Sequence, residues 1–511
     1  MMAMESCNYM LPLVASCFFL LCSFCHVLLS TRRSSNLCGS GSPRSHPVLG
    51  CLVEFYRNRR RLLDWYTGLL AASPSQTVVV ERLGARRTVV TANPANVEHI
   101  LRSNFANYPK GKPFTDILGD LLGGGIFNAD GEPWRAQRKL VSHEFTARAL
   151  RERVCAALHA EARARLLPAL DAAADAAGEV VVDVQDLLRE FAFNVICRVS
   201  LGGDDDPGGE TALLPLARLA AAFDTAAAIV ARRGAAPVAA VWKAKRALGV
   251  GSERQLREEV AAIRGAVAEL VRRGRRERGG GLVARMAAAG YGEEAIRDTV
   301  ISFIMAGRDT TSSALTWFFW LMSRHRDAER EVLSDVAAAS GGAGEFDLDG
   351  SRRMRTLHAA LCETMRLYPP VAWDSKHAAA GDVLPDGIRV GRGDRVTYFP
   401  YGMGRMEAIW GADAGEFRPG RWLREDGEGG GGVSPFEFPV FQGGPRACLG
   451  KEMAFLQMKC VAAAVLRRFE LTEVEEGRQP VFVPLLTAHM AGGLKVTVRR
   501  RRQEINGTCE Q

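Results

Sequence analysis

The segment FQGGPRACLG, Phe441 to Gly450, sets one cysteine between glycines, with an arginine two residues before it. It continues into KEMAFLQMKCVAAAVLRRF, which reads as a helix. A thiolate at Cys448 can ligate haem iron and push electron density onto it, which favours O–O cleavage. Gly444 and Gly450 suit a tight backbone loop, and the helix N-terminus that follows supplies N–H donors and a favourable dipole. Arg446 can meet an anionic group beside such a site. Taken alone, the same cysteine can equally be a small buried hydrophobe.

Three further groups carry chemistry. In ETMR, Glu363 and Arg366 share one helix face at i and i+3 and can form an ion pair. Most such pairs are solvated and contribute little. This one sits in an apolar helix just before a Pro-Pro stop, and Arg421 in FRPGRW can be a third partner. In AGRDTT, Ala306 to Thr311, Gly307 costs roughly 1 kcal/mol against Ala in a helix interior. Asp309 and Thr310 put polar groups where a core helix needs none. A helix kinked beside a cofactor would use them: the glycine admits a ligand, and the acid and hydroxyl pass protons to dioxygen. In WRAQR, Trp134 and Arg138 lie on one face at i and i+4 and can bind two anionic oxygens, though an ordinary surface helix has the same pattern.

The elements that hold these groups are mostly helical. VCAALHAEARARLLPALDAAADAA and EEAIRDTVISFIMAGRDTTSSALTWFFWLMSRH predict long helices, and TVVVERLGARRTVVTANP predicts a β-hairpin around Gly84. Short strands return at RVTYFPY and GLKVTV. GGDDDPGG, GGAGE and DGEGGGGV read as exposed loops. The class is a mainly helical domain with a small β portion.

Ordinary apolar and charged fractions suit a globular chain of 511 residues. The net charge of +8 is spread out, as in RNRRR (Arg57 to Arg61) and RRGRRER (Arg272 to Arg278). Without a nucleic-acid-binding fold this favours an acidic protein partner or a membrane surface. Of the twelve cysteines, the seven beyond the N-terminal fifty residues are scattered without CxxC pairs, which suits a reducing compartment. The other five (Cys7, Cys17, Cys22, Cys25, Cys38) lie near the N-terminus. There YMLPLVASCFFLLCSFCHVLL is about the 20 residues a membrane span needs. Its positive charges, Arg32 and Arg33, follow the apolar run. That order favours an uncleaved anchor over a signal peptide and leaves the body cytosolic. The chain thus divides into an anchor (1–33), a Gly/Ser/Pro linker (34–50), a catalytic domain (51–502) and a tail (503–511).

Together the four groups resemble, in order and spacing along essentially the whole chain, a cytochrome P450. The cysteine signature is carried by Phe441, Gly444, Arg446, Cys448 and Gly450. The Glu-x-x-Arg motif is Glu363 and Arg366, and the oxygen-activation motif is Ala306, Gly307, Asp309, Thr310 and Thr311. The Trp-x-x-x-Arg motif is Trp134 and Arg138. The resemblance implies the P450 fold behind an N-terminal transmembrane helix. It implies haem b with Cys448 as axial iron ligand, O2 as co-substrate, and Asp309 and Thr310 as proton donors in oxygen activation. Trp134, Arg138 and Arg446 resemble the propionate partners, and Lys376 stands where many relatives carry an arginine in that role. Glu363, Arg366 and Arg421 resemble the structural triad behind the cysteine loop. Gly420 and Trp422 depart from the family's Pro-Glu-Arg-Phe segment. Ala306 replaces a glutamate that bonds haem in some relatives, which implies non-covalent haem.

A closer resemblance reaches the substrate. WDSKHAAAGDVLPDG, VTYFPYGMGRMEAIWG and FPVFQGGPRACLGKEMAFLQMK resemble the plant fatty-acid ω-hydroxylases, and more narrowly the subgroup that oxidises jasmonoyl-isoleucine at its terminal carbon. Family topology then assigns Phe114, Thr115, Leu118, Val371, Ala372, Trp373, Leu485 and Leu486 to a pocket for a small apolar carboxylate. Electrons would come from NADPH–cytochrome P450 reductase, docked on a basic face that includes Lys139 and Lys451, at the endoplasmic reticulum membrane. A free fatty-acid ω-hydroxylase, a haem-thiolate isomerase or dehydratase, and a haem-binding protein without catalysis are the other readings. Asp309 and Thr310 argue against the isomerase. Asn506-Gly507-Thr508 is a glycosylation sequon that a cytosolic C-terminus would leave unmodified.

Overall fold

A computed structural model describes residues 43–501 except 44, 47–48, 177–178, 202–209, 237, 277–280, 341–346, 424–431, 476 and 478. The expected anchor and tail lie outside the described residues, as do most of the linker and of the three Gly/acid-rich segments. Among the described residues no helix is long and apolar enough to cross a membrane.

The helices that matter to the site are α1 (Gly111–Leu122), α2 (Gly131–Val141), α3 (Val184–Leu201), α4 (Glu210–Ala235), α5 (Ser252–Arg276), α6 (Glu293–Arg324), α7 (Arg355–Leu367) and α8 (Lys451–Arg468). Helix α6 is a single run of 32 residues. Glu293 and Glu294 in its first turn and Arg324 in its last complement its dipole. Its flanks, Ile296 to Met305 and Thr311 to Met322, are almost wholly buried, against α3 above all. Such all-round burial marks a central core helix. Helix α7 ends at Tyr368, where Pro369 and Pro370 forbid another turn. The Tyr368 ring stacks on Trp317 of α6 at 4.0 Å and fixes the two helices together.

A four-stranded sheet forms a second, smaller core. Its strands are β1 (Thr77–Val80), β2 (Thr88–Thr91), β3 (Asp374–His377) and β4 (Arg395–Tyr398), in the order β1-β2-β4-β3. The predicted hairpin is present, antiparallel with Val78 opposite Val90. Strand β4 runs parallel to β2 and antiparallel to β3. Strand Lys495–Arg500 matches the other C-terminal expectation.

Candidate active site

The cysteine loop is shaped by what its glycines touch. Gly444 has φ +61°, and a side chain there would put Cβ 2.0 Å from the Leu101 carbonyl oxygen. Only glycine meets both demands. The Cys448 N–H donates to the Phe441 carbonyl at 2.8 Å and closes the loop. Phe441 packs on Phe455 of α8, with ring centroids 5.2 Å apart. A Cβ on Gly450 would lie 3.4 Å from the Phe145 ring, which in turn stacks on Phe303 of α6. The loop is thus braced against the central helix.

Among the described cysteines Cys448 alone is exposed, yet it sits deep among protein atoms. Burial pushes its thiol up, while the Gly450 N–H and the charges of Arg138 and Lys451 pull it back down. In the middle of the buried helix α6, Ala306 is exposed and Thr310 half-exposed. They share one stripe at i and i+4, and the Thr310 hydroxyl donates to the Ala306 carbonyl at 2.6 Å.

Gly307 does something other than admit a ligand. Its Cβ would fall 2.8 Å from Ile196 Cδ1, so the glycine lets α3 approach α6 closely. Asp309 also parts from Thr310. It lines a cavity of about 200 Å³ between α3, α4 and the turn after Pro484, with Gln185, Arg189, Asp224, Ser312 and His489. Burial raises its carboxyl, opposed by Arg308. Arg308 Nη1 lies 3.3 Å from Asp309 and also grips Asp224 at 2.7 Å.

The Glu-x-x-Arg pair is fully buried. Arg366 donates to both Glu363 oxygens, at 2.7 and 2.8 Å, and to the carbonyls of Gly404, Ala414 and Glu416. Arg421 completes the expected triad at 2.9 Å from Glu363. Trp422, which sequence reading left without a role, donates its indole N–H to Glu363 at 2.9 Å. Its ring packs at 4.8 Å on Phe438, at the entry to the cysteine loop. That link joins the triad to the loop, and a tryptophan in place of phenylalanine was its only signal.

Trp134 is buried, so the helix carrying it is no ordinary surface helix. Arg138 donates to the Ala447 carbonyl at 2.6 Å. Arg446 lies over the Trp134 ring at 4.4 Å and pairs with Asp130. Its buried Nε has no partner among the described residues. Lys376 departs from expectation: its ammonium is buried and donates to Asp374 at 2.9 Å. Lys110, which no sequence pattern marked, reaches the same carboxylate at 2.7 Å.

The expected substrate residues have different neighbours. Phe114 lies under the Lys110 ammonium at 4.3 Å, the Thr115 hydroxyl donates to the Lys112 carbonyl, and Leu118 is buried in the helical core. Leu485 and Leu486 line the Asp309 cavity. Val371 is half-buried at the Pro-Pro turn. Ala372 and Trp373 instead belong to the sheet core, where Trp373 stacks on Phe399 at 6.1 Å, because β3 begins at once after them.

These residues fit a haem. An exposed sulfur stands on a loop braced against the central helix, that helix exposes a small residue in its middle, and Arg138 and Arg446, the latter with an unsatisfied buried guanidinium nitrogen, belong to the same loop or bond to it. A thiolate there would hold iron, Arg138 and Arg446 would hold propionates, and the haem so bound would supply the oxygen chemistry.

Known proteins agree. The cytochrome P450 family model matches residues 41–490. The chain is 55% identical to cytochrome P450 94B1 of Arabidopsis thaliana, covering 95% of this chain and 96% of that one. It is 54% identical to Arabidopsis thaliana cytochrome P450 94B3 (91% and 93% covered) and 43% identical to Vicia sativa cytochrome P450 94A2 (90% and 91% covered). The crystal structure of the cytochrome P450DA heme domain superposes with a TM-score of 0.73 at 20% identity, covering 91% of this chain and 98% of that one, and so shares the fold. Matched along nearly its whole length, the chain belongs to the cytochrome P450 family, monooxygenases that use a haem b with a cysteine thiolate ligand, O2 and electrons from a reductase.

Proposed function

We propose that this monooxygenase hydroxylates the terminal carbon of jasmonoyl-isoleucine and so inactivates the hormone, the ratio of alcohol to acid product being read by the test below. Cys448 is the iron ligand, and the observation that carries this assignment is its exposed sulfur on a glycine-shaped loop braced through Phe145 and Phe303 against helix α6, whose exposed stripe holds Ala306 and Thr310. Arg138 and Arg446 hold the propionates beside Trp134. Thr310 and Asp309, the latter lining a polar cavity, are the groups that would supply protons for the oxygen chemistry a bound haem would carry. Glu363, Arg366 and Arg421 keep the cysteine loop in place. With alanine at position 306 the haem stays non-covalent, and extraction with acidic organic solvent leaves none on the protein.

The substrate reading rests on the resemblance of WDSKHA and TYFPYGMGRME to the jasmonoyl-isoleucine-oxidising subgroup. Residues 1–33 anchor the chain in the endoplasmic reticulum membrane with the catalytic domain in the cytosol, and a glycan on Asn506 would overturn that topology. NADPH–cytochrome P450 reductase docks on the face that exposes Lys139 and Lys451.

The test uses microsomes containing the full chain and a plant reductase, supplied with NADPH and either jasmonoyl-isoleucine or lauric acid. Hydroxy and carboxy products of the conjugate, with little product from the fatty acid, are expected. The reverse would make the protein a free fatty-acid ω-hydroxylase.

A further inference from the structure

Three consecutive glycines, Gly123, Gly124 and Gly125, follow helix α1, and helix α6 gives the reason for them. Gly123 has φ +53°, and a Cβ there would run into the Asp298 carboxylate. A Cβ on Gly125 would run into the Ser302 hydroxyl and come within 2.7 Å of the Asp298 carbonyl oxygen. The backbone of this loop therefore lies directly on α6, a contact open only to residues without side chains.

One hydrogen bond pins it there. The Gly124 N–H donates to Asp298 Oδ2 at 2.9 Å. Asp298 is buried, and its other oxygen accepts from Arg297 Nε at 3.2 Å and Nη2 at 3.0 Å. The Gly124 carbonyl accepts from Gln137 Nε2 at 2.9 Å, so one residue bridges α6 and helix α2, which carries Trp134 and Arg138. Asn128 closes the loop on itself. Its side-chain NH2 donates to the Gly123 carbonyl at 2.8 Å and its backbone N–H to the Gly125 carbonyl at 2.9 Å.

Positions 298, 302, 306 and 310 are four apart and form one slanting row along α6. The glycine loop covers that row at Asp298 and Ser302. The row becomes exposed at Ala306 and stays half-exposed at Thr310. Ser302 and Ala306 are about 6 Å apart along the axis, at about 1.5 Å per residue. A chain laid over Ala306 thus meets the loop as an end stop. The C–H bonds of a terminal methyl group are stronger than those of the methylene beside it, so attack at the end of a chain has to be enforced by position.

We propose that Asp298 is a positioning residue for regiochemistry: through the Gly124 N–H it fixes the loop that decides which substrate carbon comes to rest over Ala306. The inference rests on the terminal-carbon hydroxylation proposed for this enzyme. Asp298 touches the loop and acts on the substrate only through it. Without the carboxylate the Gly124 N–H turns to water, the loop loosens, and the neighbouring carbon gains access.

The experiment uses the full-length holoprotein with reductase and NADPH. It reads the ratio of terminal to penultimate hydroxylation on jasmonoyl-isoleucine and on lauric acid. Asp298→Ala is expected to lower that ratio about tenfold, since a displacement of about 1 Å at a reacting centre costs up to about a hundredfold. Asp298→Asn is expected to keep the ratio within about twofold of wild type, because its amide oxygen still accepts from Gly124. Gly125→Ala, which pushes the loop off Ser302 with Asp298 intact, is expected to lower the ratio as well. Loss of folded protein lowers both products alike, so a merely structural role leaves the ratio unmoved. The second readout is amide hydrogen exchange of residues 122–130 in the purified holoprotein without substrate. Exchange there is expected to quicken about tenfold in Asp298→Ala and to keep the wild-type rate in Asp298→Asn. Wild-type exchange in Asp298→Ala, or faster exchange with an unchanged ratio, overturns the proposal. If Asp298→Ala does not fold, Gly125→Ala decides by the same two readouts. A wild-type enzyme that attacks neither substrate at its terminal carbon overturns the terminal-carbon reading and the inference with it. A wild-type enzyme that does so, beside an Asp298→Ala variant with the same ratio, overturns the inference alone.

Discussion

Replacing Glu363 by glutamine removes one charge from a site that holds five donors. One oxygen accepts from Arg366 Nη2 and the Arg418 N–H, both at 2.8 Å, and from Arg421 Nε at 2.9 Å. The other accepts from Arg366 Nε at 2.7 Å and Trp422 Nε1 at 2.9 Å. A glutamine amide keeps one acceptor and turns an NH2 toward the remaining donors. Breaking a buried ion pair costs about 3–5 kcal/mol. Arg366 retains its carbonyl partners, including Ala414 at 2.6 Å and Glu416 at 2.8 Å, which places the cost near the lower end, about 3 kcal/mol. That is a large part of the roughly 5–15 kcal/mol that keeps a protein folded. At about 2.1 cal/mol/K per residue, a chain of this length unfolds with about 1 kcal/mol/K, so Glu363→Gln should lower the apparent melting midpoint by about 3 °C. Because Trp422 ties Glu363 to Phe438, the fraction of protein with the thiolate-type spectrum of the reduced carbon monoxide complex should fall too. Glu54→Gln, in an exposed pair with Arg57, should change neither. A Glu363→Gln midpoint within about 1 °C of wild type, with an undiminished thiolate spectrum, would refute the view that the triad supports the loop.

Gly307→Ala should cost about 1–3 kcal/mol through overpacking against Ile196, and Ile196→Ala in the same chain should recover most of it. A melting series over the four combinations checks this, and strict additivity would mean that the two do not touch. Burial holds His358 and His377 down to about 4, whereas unfolded histidines take protons near 6.5. Their contribution is complete above about pH 6.5 and is lost as pH falls toward about 4. His358→Phe should keep the contact with Phe455, seen at 4.3 Å, and narrow the gap between midpoints at about pH 7 and about pH 5. An unchanged gap would exclude His358 as its source. Reduction by the reductase should slow as salt rises, and Lys139→Glu with Lys451→Glu should slow it further at low salt; a rate indifferent to both would remove the electrostatic docking face.

What could be read from sequence followed the range of each interaction. Glu363 and Arg366 lie one helical turn apart in an apolar run, so spacing and context sufficed. The hairpin around Gly84 and the long central helix were likewise local patterns. Lys110 and Asp374 are 264 positions apart, and the contact exists only because His377 bonds to the Pro109 and Lys110 carbonyls. No periodicity announces such a pair. Gly307 misled for a related reason. A glycine in a core helix signals close approach by something, and only the packing of α3 shows that the something is Ile196.

The same reasoning limits what WDSKHA says about substrate. Its residues are fixed by a buried carboxylate, two lysines and the sheet core, constraints that any chain keeping this network must satisfy whatever it oxidises. Shared spelling there marks kinship of the scaffold. Selectivity between a hormone conjugate and a free fatty acid has to come from residues that touch the substrate, and of those assigned by topology Leu485 and Leu486 line a cavity beside helix α6. Exchanging those two side chains should therefore move the ratio of jasmonoyl-isoleucine to lauric acid products, while an Asp374 variant should leave that ratio alone. If the ratio followed Asp374 instead, the strand would be reading the substrate, and the separation between scaffold and selectivity argued from its burial would fail.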